Sequence, residues 1–346
     1  MDSRQPETAS DKQGRAEAGS AEQLPYRSVL VTGAGGYLGR QLIAALADDR
    51  RGLRTIVASD IRLPPEAERR AGVEYAVADV RSADLRELLA RHRVEVVVHL
   101  AAIVTPGRKS NRELEYQVDV LGTQNVLQAG LAAGVRKLIY TSSGAAYGYH
   151  ADNPPWLDEH DALRGNPEFA YSDHKRLVEE MLARWRHEHP QLLQLIFRPG
   201  TILGARTKNQ ITDLFDKRYV LGLSGASSPF VIIWDQDVVG GILRGLHDGG
   251  SGIFNMAGDG TLTLREIAAL LHRPYLAIPP GLISGALWLL KKLGLTQYGP
   301  EQVNFLRYRP VLANRRLKEE FGYIPRKSTR EVFELFVEAR GYGAPA

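Results

Sequence analysis

The sequence predicts an α/β fold in which helices cover both faces of a doubly wound parallel sheet, followed by a smaller C-terminal lobe. Two observations support this. Short apolar runs of strand length alternate with helical patterns from residue 27 to residue 197. The first of these runs leads directly into a glycine-rich turn that opens a helix. Such alternation is typical of parallel strands joined by right-handed crossovers.

The individual elements follow from local patterns in chain order. Most of the strands are short runs of β-branched and other apolar residues, and the helices are longer segments of mixed polarity. Ser82 is a candidate N-cap for the second helix. The six strands predicted for the sheet span 27–32, 55–58, 73–78, 94–98, 137–140 and 192–197. The helices between them span 37–47, 82–91, 112–133 and 172–187. Beyond residue 200 we predict a strand at 230–234, a helix from Asp237, and helices alternating with short loops over 262–340.

Composition limits the class of protein. The chain has 346 residues, 44% of them hydrophobic and 24% charged, with a net charge of +4 and no cysteine. A small net charge without a long basic run argues against a nucleic-acid partner. The absence of cysteine excludes disulfides, thiolate metal sites and cysteine catalysis, and it fits a reducing compartment. We therefore expect a cytoplasmic protein, and we predict no metal site.

The most apolar segment of the second half is 281–290, which is followed by Lys291-Lys292. It is shorter than the ~20 residues that span a bilayer, so an integral membrane protein is not expected. We expect an amphipathic helix that packs on the protein or covers a pocket. Peripheral contact with a membrane is the alternative.

The glycine-rich turn reads Gly33-Ala34-Gly35-Gly36-Tyr37-Leu38-Gly39 and lies between a strand and a helix. Gly33 permits the tight turn, Gly36 lets the backbone approach a pyrophosphate, and Gly39 allows close packing of helix and strand. The helix N-terminus then offers free N–H groups to phosphates. In this context the pattern predicts a Rossmann-type dinucleotide site.

Residues at the ends of the following strands predict how the dinucleotide is held. Asp60 would accept hydrogen bonds from the adenosine ribose and repel a 2′-phosphate, which favours NAD over NADP. Arg62, which could accommodate that phosphate, weakens the preference. Asp79-Val80 are positioned for the adenine. Leu100-Ala101-Ala102 follow the fourth strand, where small side chains leave room for the cofactor to pass.

Tyr171 and Lys175 stand one helical turn apart and so share a helix face. A tyrosine has an ordinary pKa near ~10, too high for a base at neutral pH. The lysine ammonium, together with an oxidised nicotinamide ring, would favour the phenolate. Tyr171 could then exchange a proton with a substrate hydroxyl or carbonyl while a hydride moves, and Ser143 would bond the same oxygen.

With these motifs the chain resembles the extended short-chain dehydrogenases/reductases of the NAD-dependent epimerase/dehydratase group, from about residue 27 to 340. The resemblance implies a smaller substrate lobe interleaved with the sheet, Ser143, Tyr171 and Lys175 as catalytic residues, and Arg198-Pro199 beside the nicotinamide. It also implies a homodimer through the helices at 112–133 and 172–187. Accordingly we divide the chain into a disordered tail (1–25), an NAD-binding domain (26–199) and a mainly substrate-binding lobe (200–346). Further segments that carry the resemblance are 119–126, 140–148, 197–200, 234–238, 254–258, 300–311 and 321–325.

The chain also departs from this family in ways that bear on the reaction. Asp119 stands where the family usually has Asn. Gly144-Ala145 follow Ser143, so the acids of the 4,6-dehydratases and decarboxylases are missing. The residues with which nucleotide-sugar enzymes often contact a diphosphate are replaced by Gly200-Thr201 and Pro229-Phe230. Basic residues that could substitute, although a solvated face is the preferred interpretation, are Arg206, Lys208, Lys217 and Arg218.

Three functions remain open, the first two with a small-molecule substrate. One is an NAD-dependent 4-epimerase of a nucleotide sugar. The second is an NAD(P)-dependent dehydrogenase or reductase of an apolar, sterol-like or long-chain alcohol or ketone, suggested by the apolar segments at 230–234 and 282–290. The third is a non-catalytic nucleotide-binding protein, against which the intact Ser143, Tyr171 and Lys175 set argues. The first is preferred on overall resemblance.

Overall fold

A computed structural model describes residues 26–50, 52–104, 111–226, 229–247, 250–296, 299 and 302–342. The predicted tail, 1–25, lies outside the described residues. The strands are β1 (Ser28–Thr32), β2 (Thr55–Asp60), β3 (Glu74–Val77), β4 (Val96–His99), β5 (Lys137–Thr141), β6 (Leu193–Pro199), β7 (Thr201–Leu203), β8 (Val220–Leu223), β9 (Ile232–Trp234), β10 (Gly252–Met256) and β11 (Tyr275–Ile278).

The helices alternate with these strands through the first half of the chain. They are α1 (Tyr37–Asp48), α2 (Asp84–Arg91), α3 (Arg112–Tyr116), α4 (Gly122–Ala133), α5 (Ala170–Glu188), α6 (Gln210–Phe215), α7 (Asp235–His247), α8 (Leu264–Leu270), α9 (Pro280–Lys292), α10 (Gln302–Arg307), α11 (Arg315–Glu319) and α12 (Thr329–Ala339). Short 3-10 turns occur at Glu66–Glu68 and Gly144–Tyr147, and a π-helical turn, Gln117–Leu121, joins α3 to α4.

The central sheet has seven parallel strands in the order β10-β6-β5-β4-β1-β2-β3. The chain begins in the middle at β1, runs to the β3 edge, and then crosses to β4 on the other side of β1. This reversal confirms the doubly wound α/β fold. Ligands of such sheets bind where the order reverses, at the carboxyl ends of the strands, so the loops after β1, β2 and β4 define the place to examine.

Alternating strand residues build one apolar core on each face of the sheet. Val29 and Val31 point to the face covered by α1 and α7, whereas Leu30 points to the face covered by α2, α4 and α5. A third core lies in the C-terminal lobe, where β7 pairs with β9 and aromatic residues of α6 and α12 pack together. Phe215 and Phe333 meet there edge to face, with ring centroids 5.2 Å apart.

Several predicted boundaries differ from the structure. The helix predicted at 112–133 is interrupted by the π-helical turn, which inserts an extra residue per turn around Asp119. The second helix begins at Asp84, although the Ser82 hydroxyl still accepts a hydrogen bond from the Asp84 N–H. The seventh strand, β10, was not predicted as part of the sheet. It comes from the C-terminal half of the chain and pairs with β6.

Segment 281–290 forms a helix, α9, that contacts α10, as expected of a helix that packs on the protein. None of the α9 side chains is fully buried. Among the described residues, no helix combines the length and the apolar character needed to cross a membrane.

Candidate active site

The glycine turn after β1 is shaped by close backbone contacts. Gly33 has φ +67°, and a Cβ on it would lie 2.7 Å from the Ala101 backbone nitrogen. A Cβ on Gly39 would clash with the Gly33 carbonyl oxygen, to which the Gly36 N–H donates at 3.0 Å. Each of these positions therefore excludes a side chain for a steric reason. Gly39 packs on the turn itself, a more specific role than the helix–strand packing predicted for it.

The start of α1 fits an anionic group. Gly36 precedes the helix and offers no side-chain cap, and no acidic residue lies in the first turn. The first N–H groups of this 12-residue helix thus have no side-chain partner at the cap. Their partial positive charge points to the carboxyl edge of the sheet, where the pyrophosphate of a dinucleotide would lie.

Asp60, at the end of β2, holds the glycine turn through its carboxylate. One carboxylate oxygen accepts a hydrogen bond of 2.9 Å from the Gly35 N–H, and the other accepts one of 3.4 Å from the Arg62 N–H. The backbone of Arg62, rather than its charge, is what contacts Asp60 in these hydrogen bonds. The carboxylate is consequently fixed beside the glycine turn, where the sequence predicted it.

Tyr37 connects the glycine turn to the C-terminal lobe. Its hydroxyl donates to Asp235 Oδ2 at 2.5 Å and accepts from the Thr207 hydroxyl at 2.9 Å. Burial and the hydrogen bond to Asp235 raise the pKa of Tyr37 to about 12. Asp235 opens α7, so this contact fixes the lobe to the cofactor end of the sheet. No sequence pattern indicated this contact.

The remaining predicted cofactor residues line the same edge. Asp79 is paired with Arg81 at 2.6 Å, a hydrogen bond that lowers the pKa of the Asp79 carboxyl. Val80 is buried, and a Cβ on Gly122 would lie 2.7 Å from its side chain. Asn125 donates to the Val80 carbonyl at 2.7 Å and so fixes the loop after β3. Leu38, in α1, packs against the core that contains Val29 and Val31. The half-buried Leu100, Ala101 and Ala102 follow β4.

The structure brings Ser143, Tyr171 and Lys175 together. Ser143 lies just after β5, and Tyr171 and Lys175 occupy the first turns of α5. The side chains of Ser143 and Tyr171 are hydrogen-bonded. The Lys175 ammonium lies 5.8 Å from the Tyr171 ring centroid, and it donates to the Tyr140 hydroxyl and the Thr141 carbonyl, both at 2.9 Å. A phenol, a hydroxyl and a cation therefore converge at the carboxyl end of the sheet.

Burial dominates the electrostatics of this group. It raises the pKa of Tyr171 well above its ordinary value; the hydrogen bond with Ser143 acts in the opposite direction and the charge of Asp119 adds to the rise. Burial lowers the pKa of Lys175 to about 8, against the charges of Asp119 and Glu179. In the protein alone Tyr171 is thus a neutral phenol at pH 7. The contribution of an oxidised nicotinamide ring to its ionisation stays a prediction.

Asp119 faces the site from the π-helical turn. Its Oδ1 accepts a hydrogen bond of 2.9 Å from the Ile103 N–H, while its Oδ2 lies 3.6 Å from His174 Nδ1. Both side chains are buried. The carboxylate is close enough to influence the pKa values of Tyr171 and Lys175, so the departure from Asn seen in the sequence changes the charge of the site.

Arg198 is committed to a buried ion pair beneath the site. Its Nη2 donates to Glu179 Oε2 at 2.7 Å, and its Nη1 donates to the Tyr147 hydroxyl at 2.8 Å. Ser142 donates to the same glutamate at 2.5 Å. Glu179 follows Lys175 by one turn of α5, so Arg198 acts on the lysine through Glu179. The placement of Arg198 and Pro199 beside a nicotinamide stays a prediction.

An aromatic wall lies beside Tyr171, and an arginine lies close to the wall; sequence reasoning missed both. We call Tyr149, Phe169 and Phe305 the aromatic wall: their ring centroids lie 4.5 to 5.8 Å apart, and Phe169 lies 6.2 Å from the Tyr171 ring. The guanidinium of Arg309 stacks 3.9 Å over the Phe230 ring. Burial raises the pKa of Tyr149, and the charge of Arg309 acts against this rise. Arg309 Nε is buried and has no hydrogen-bond partner among the described residues.

The basic residues weighed from the sequence as diphosphate contacts occupy different positions. All four are exposed, as a solvated face predicts: Arg206, Lys208, Lys217 and Arg218. Arg309 instead places a positive charge close to Tyr149 of the aromatic wall. Phe230 and Arg309 are far apart in the sequence and come into contact only in the folded C-terminal lobe. No sequence pattern could have indicated this contact.

Comparison with known proteins identifies the class. A model of the NAD dependent epimerase/dehydratase family matches residues 29–223. This match covers more than half of the chain, and the protein therefore belongs to that family. A UDP-glucose 4-epimerase from Mycolicibacterium smegmatis is 28% identical over 324 residues, which cover 89% of this chain and 97% of the relative.

Two solved structures show the same fold. A UDP-glucose 4-epimerase from Thermotoga maritima, with UDP-glucose, has a TM-score of 0.71 at 19% identity and covers 91% of this chain and 98% of its own. A UDP-glucose 4-epimerase from Thermus thermophilus, with NAD, has a TM-score of 0.68 at 21% identity and covers 92% and 100%. Identities this low establish a shared fold and leave the substrate open.

Proposed function

We propose that this protein is an NAD-dependent 4-epimerase of a nucleotide sugar, with Ser143, Tyr171 and Lys175 as its catalytic residues. The observation that carries the proposal is the hydrogen-bonded Ser143–Tyr171 pair beside the buried Lys175, at the carboxyl edge of a doubly wound sheet. A non-catalytic nucleotide-binding protein would have no need to bury a lysine beside a tyrosine at this edge.

Each catalytic side chain has one task. The Tyr171 oxygen takes the proton of a substrate hydroxyl and later returns it to the carbonyl oxygen. Ser143, already hydrogen-bonded to Tyr171, bonds the same substrate oxygen and fixes its position. Lys175 places a positive charge behind the tyrosine ring, which stabilises the phenolate as it forms. Bound NAD would supply the hydride acceptor and donor, and an epimerisation consumes no net cofactor.

The carboxylate of Asp60 supports NAD rather than NADP as the cofactor. Its carboxylate is fixed by the Gly35 N–H beside the turn where the pyrophosphate would bind. A ribose with free hydroxyls would donate to this carboxylate, whereas a 2′-phosphate would be repelled by it. The T. thermophilus structure described above holds NAD, in agreement with this preference.

Arg309 supports a substrate with an anionic group. A buried guanidinium nitrogen without a partner is costly, since hydrogen bonds to charged groups are worth about 1.5–3 kcal/mol. A diphosphate binding against the aromatic wall would satisfy it. The M. smegmatis and T. maritima proteins, both named UDP-glucose 4-epimerases, agree with a nucleotide-sugar substrate.

A second candidate is a dehydrogenase or reductase of an apolar alcohol or ketone. The aromatic wall favours it, because Tyr149, Phe169 and Phe305 would pack well against a hydrocarbon ring system. The catalytic residues would be the same, but the cofactor would leave after each turnover.

The deciding experiment is to incubate the purified protein with UDP-glucose and to follow the sugar by proton NMR. We expect a second UDP-hexose epimeric at C4, NAD retained through purification, and no product from Tyr171→Phe. Tyr140→Phe is the matched control, since Tyr140 also contacts Lys175. NADH accumulation with an apolar alcohol, and no change in UDP-sugars, would support the second candidate instead. Equal cellular function of the Tyr171→Phe variant would establish a non-catalytic role.

A homodimer in the cytoplasm is proposed from the family resemblance. Leu114 of α3 and Leu121 of the π-helical turn are exposed large apolar side chains on the helices predicted to pair. Sedimentation at working concentration tests the dimer, and a monomer would contradict it.

A further inference from the structure

Helix α9 exposes apolar side chains that a folded chain would normally bury. Leu282 is 66% exposed, Trp288 56% and Leu289 50%, and Leu293, directly after the helix, is 60% exposed. No residue of the helix is buried. Exposed apolar patches of this kind mark interaction sites rather than ordinary solvated surface.

One row of apolar residues on α9 faces away from the protein. Leu282, Ala286, Leu289 and Leu293 follow the spacing i, i+4, i+7 and i+11, which places them on one side of a helix. These four are exposed, whereas Ile283 and Leu287 on the opposite side are half-buried. The side of the helix that faces solvent is therefore as apolar as the side that faces the protein.

The small sheet that precedes the helix in the chain also exposes apolar side chains. Strands β8 and β11 pair in parallel, and Leu221 lies opposite Leu276 in their register. Both leucines are exposed large apolar residues. Helix α9 begins at Pro280, two residues after β11 ends.

The sequence segment that contains α9 carries charges of one sign. The sequence contains no acidic residue from 267 to 300, while Arg273, Lys291 and Lys292 lie in that stretch. The Lys292 ammonium lies 5.1 Å from the ring centroid of Trp288. A tryptophan beside lysines at the edge of an apolar helix face suits the boundary between lipid headgroups and acyl chains.

We propose that α9 docks this protein on a membrane surface rich in anionic lipid, with Leu282, Leu289 and Leu293 in the acyl region and Lys291 and Lys292 at the headgroups. A protein partner would bring a rim of polar residues that matches charges of both signs. The segment that forms α9 offers positive charges beside leucines and one tryptophan, which a bilayer of negative surface potential complements directly.

Docking would also bring the aromatic wall near the membrane. Helix α9 packs against α10, and Phe305 of α10 belongs to the aromatic wall beside Tyr171. Phe305 thus connects the docking helix to the residues around Tyr171. The inference is independent of the reaction, because the docking surface contains no residue of the catalytic group.

The experiment is co-sedimentation of the full chain with vesicles of phosphatidylcholine and phosphatidylglycerol in equal parts, and with vesicles of phosphatidylcholine alone. We expect binding to the anionic vesicles that falls at least about tenfold in Leu289→Glu and about fivefold in Lys292→Ala. Ile324→Glu is the matched control, because Ile324 is an exposed apolar residue outside the patch. It should bind within about twofold of the unaltered protein.

A second measurement does not depend on a charged substitution. Brominated lipids should quench tryptophan fluorescence on binding, and Trp288→Phe, which keeps the helix apolar, should remove most of this quenching. Equal binding to both kinds of vesicle, or quenching that survives Trp288→Phe, would overturn the proposal. So would a dimer that dissociates in Leu289→Glu while no vesicle binds, since α9 would then be an interface between two copies of the chain.

Discussion

Asp119 Oδ2 lies 3.6 Å from His174 Nδ1 within the site, and neither atom has a hydrogen-bond partner among the described residues. Both side chains are buried. The distance between the two atoms is too long for a hydrogen bond. The charge of the Asp119 carboxylate therefore still acts on its other neighbours. It raises the pKa values of both Tyr171 and Lys175.

Asp119→Asn should therefore move the alkaline side of the pH–rate profile to lower pH. Lys175, with a pKa of about 8, loses its charge as the pH rises through that value. Because the Asp119 charge raises this pKa, its removal lowers it, and activity is lost at a lower pH. His174→Gln is the control, since it leaves the carboxylate in place. An alkaline limb that does not move in Asp119→Asn would contradict the assignment to Lys175.

The Arg198–Glu179 ion pair should make a large contribution to stability when only one partner is removed. Both side chains are at most 4% exposed, so Glu179→Gln leaves an uncompensated buried guanidinium. Breaking such a pair costs about 3–5 kcal/mol, and urea unfolding should show a loss of this size. Glu180→Gln, at the exposed neighbouring position, removes only an ion pair with Arg176 and should cost below about 0.5 kcal/mol. A loss in Glu179→Gln as small as that in Glu180→Gln would show that the pair is not buried in solution.

The sequence predicted what depends on local pattern and missed what depends on contacts between distant segments. The glycine turn and the positions of the first six strands along the chain follow from residues close together in the sequence. The seventh strand joins the sheet only through its pairing with β6, and the π-helical turn at Asp119 leaves no mark in helical periodicity. The commitment of Arg198 to Glu179 likewise arises only when α5 packs against the sheet.

The same difference between local pattern and distant contacts applies to the residues around Tyr171. Tyr171 and Lys175 could be found because their chemistry requires one helical turn between them. Arg309 and Phe230 meet only in the folded lobe, and the exposure of α9 contradicts the usual expectation that an apolar segment is buried.

His99 should make the protein less stable in mild acid. Burial, with the charge of Lys175 adding to it, lowers the pKa of His99 to about 3 from an ordinary value of 6.5. Between these values the unfolded chain binds a proton that the folded chain does not, so stability falls as the pH falls from 6.5 towards 3. His99→Gln should lose less stability between pH 6.5 and pH 4.5, measured by urea unfolding at both. His160→Gln, at an exposed position, should behave as the unaltered protein does. The same acid sensitivity in His99→Gln would assign it to other groups.

Asp60→Asn should reduce the preference for NAD. The amide oxygen can still accept the hydrogen bond from the Gly35 N–H, so the turn is kept while the charge is removed. We expect the Kd for NAD to rise about tenfold, the size of one charge-assisted hydrogen bond, and the Kd for NADP to fall. Titration calorimetry with both cofactors measures this. If the unaltered protein binds NADP as tightly as NAD, Asp60 does not select the cofactor.

Arg309→Leu should weaken binding of a phosphate-bearing substrate without slowing the chemical step. Leucine keeps an apolar contact with Phe230 but removes the guanidinium that would meet the anionic group. The loss of a charged hydrogen bond corresponds to a rise in KM of about 10- to 100-fold, with kcat nearly unchanged if the interaction is the same in the ground and transition states. Arg307→Leu, at an exposed position two residues earlier, should leave both constants unaltered. A fall in kcat at constant KM would place Arg309 in the reaction itself, and no change in either constant would remove the argument for an anionic substrate.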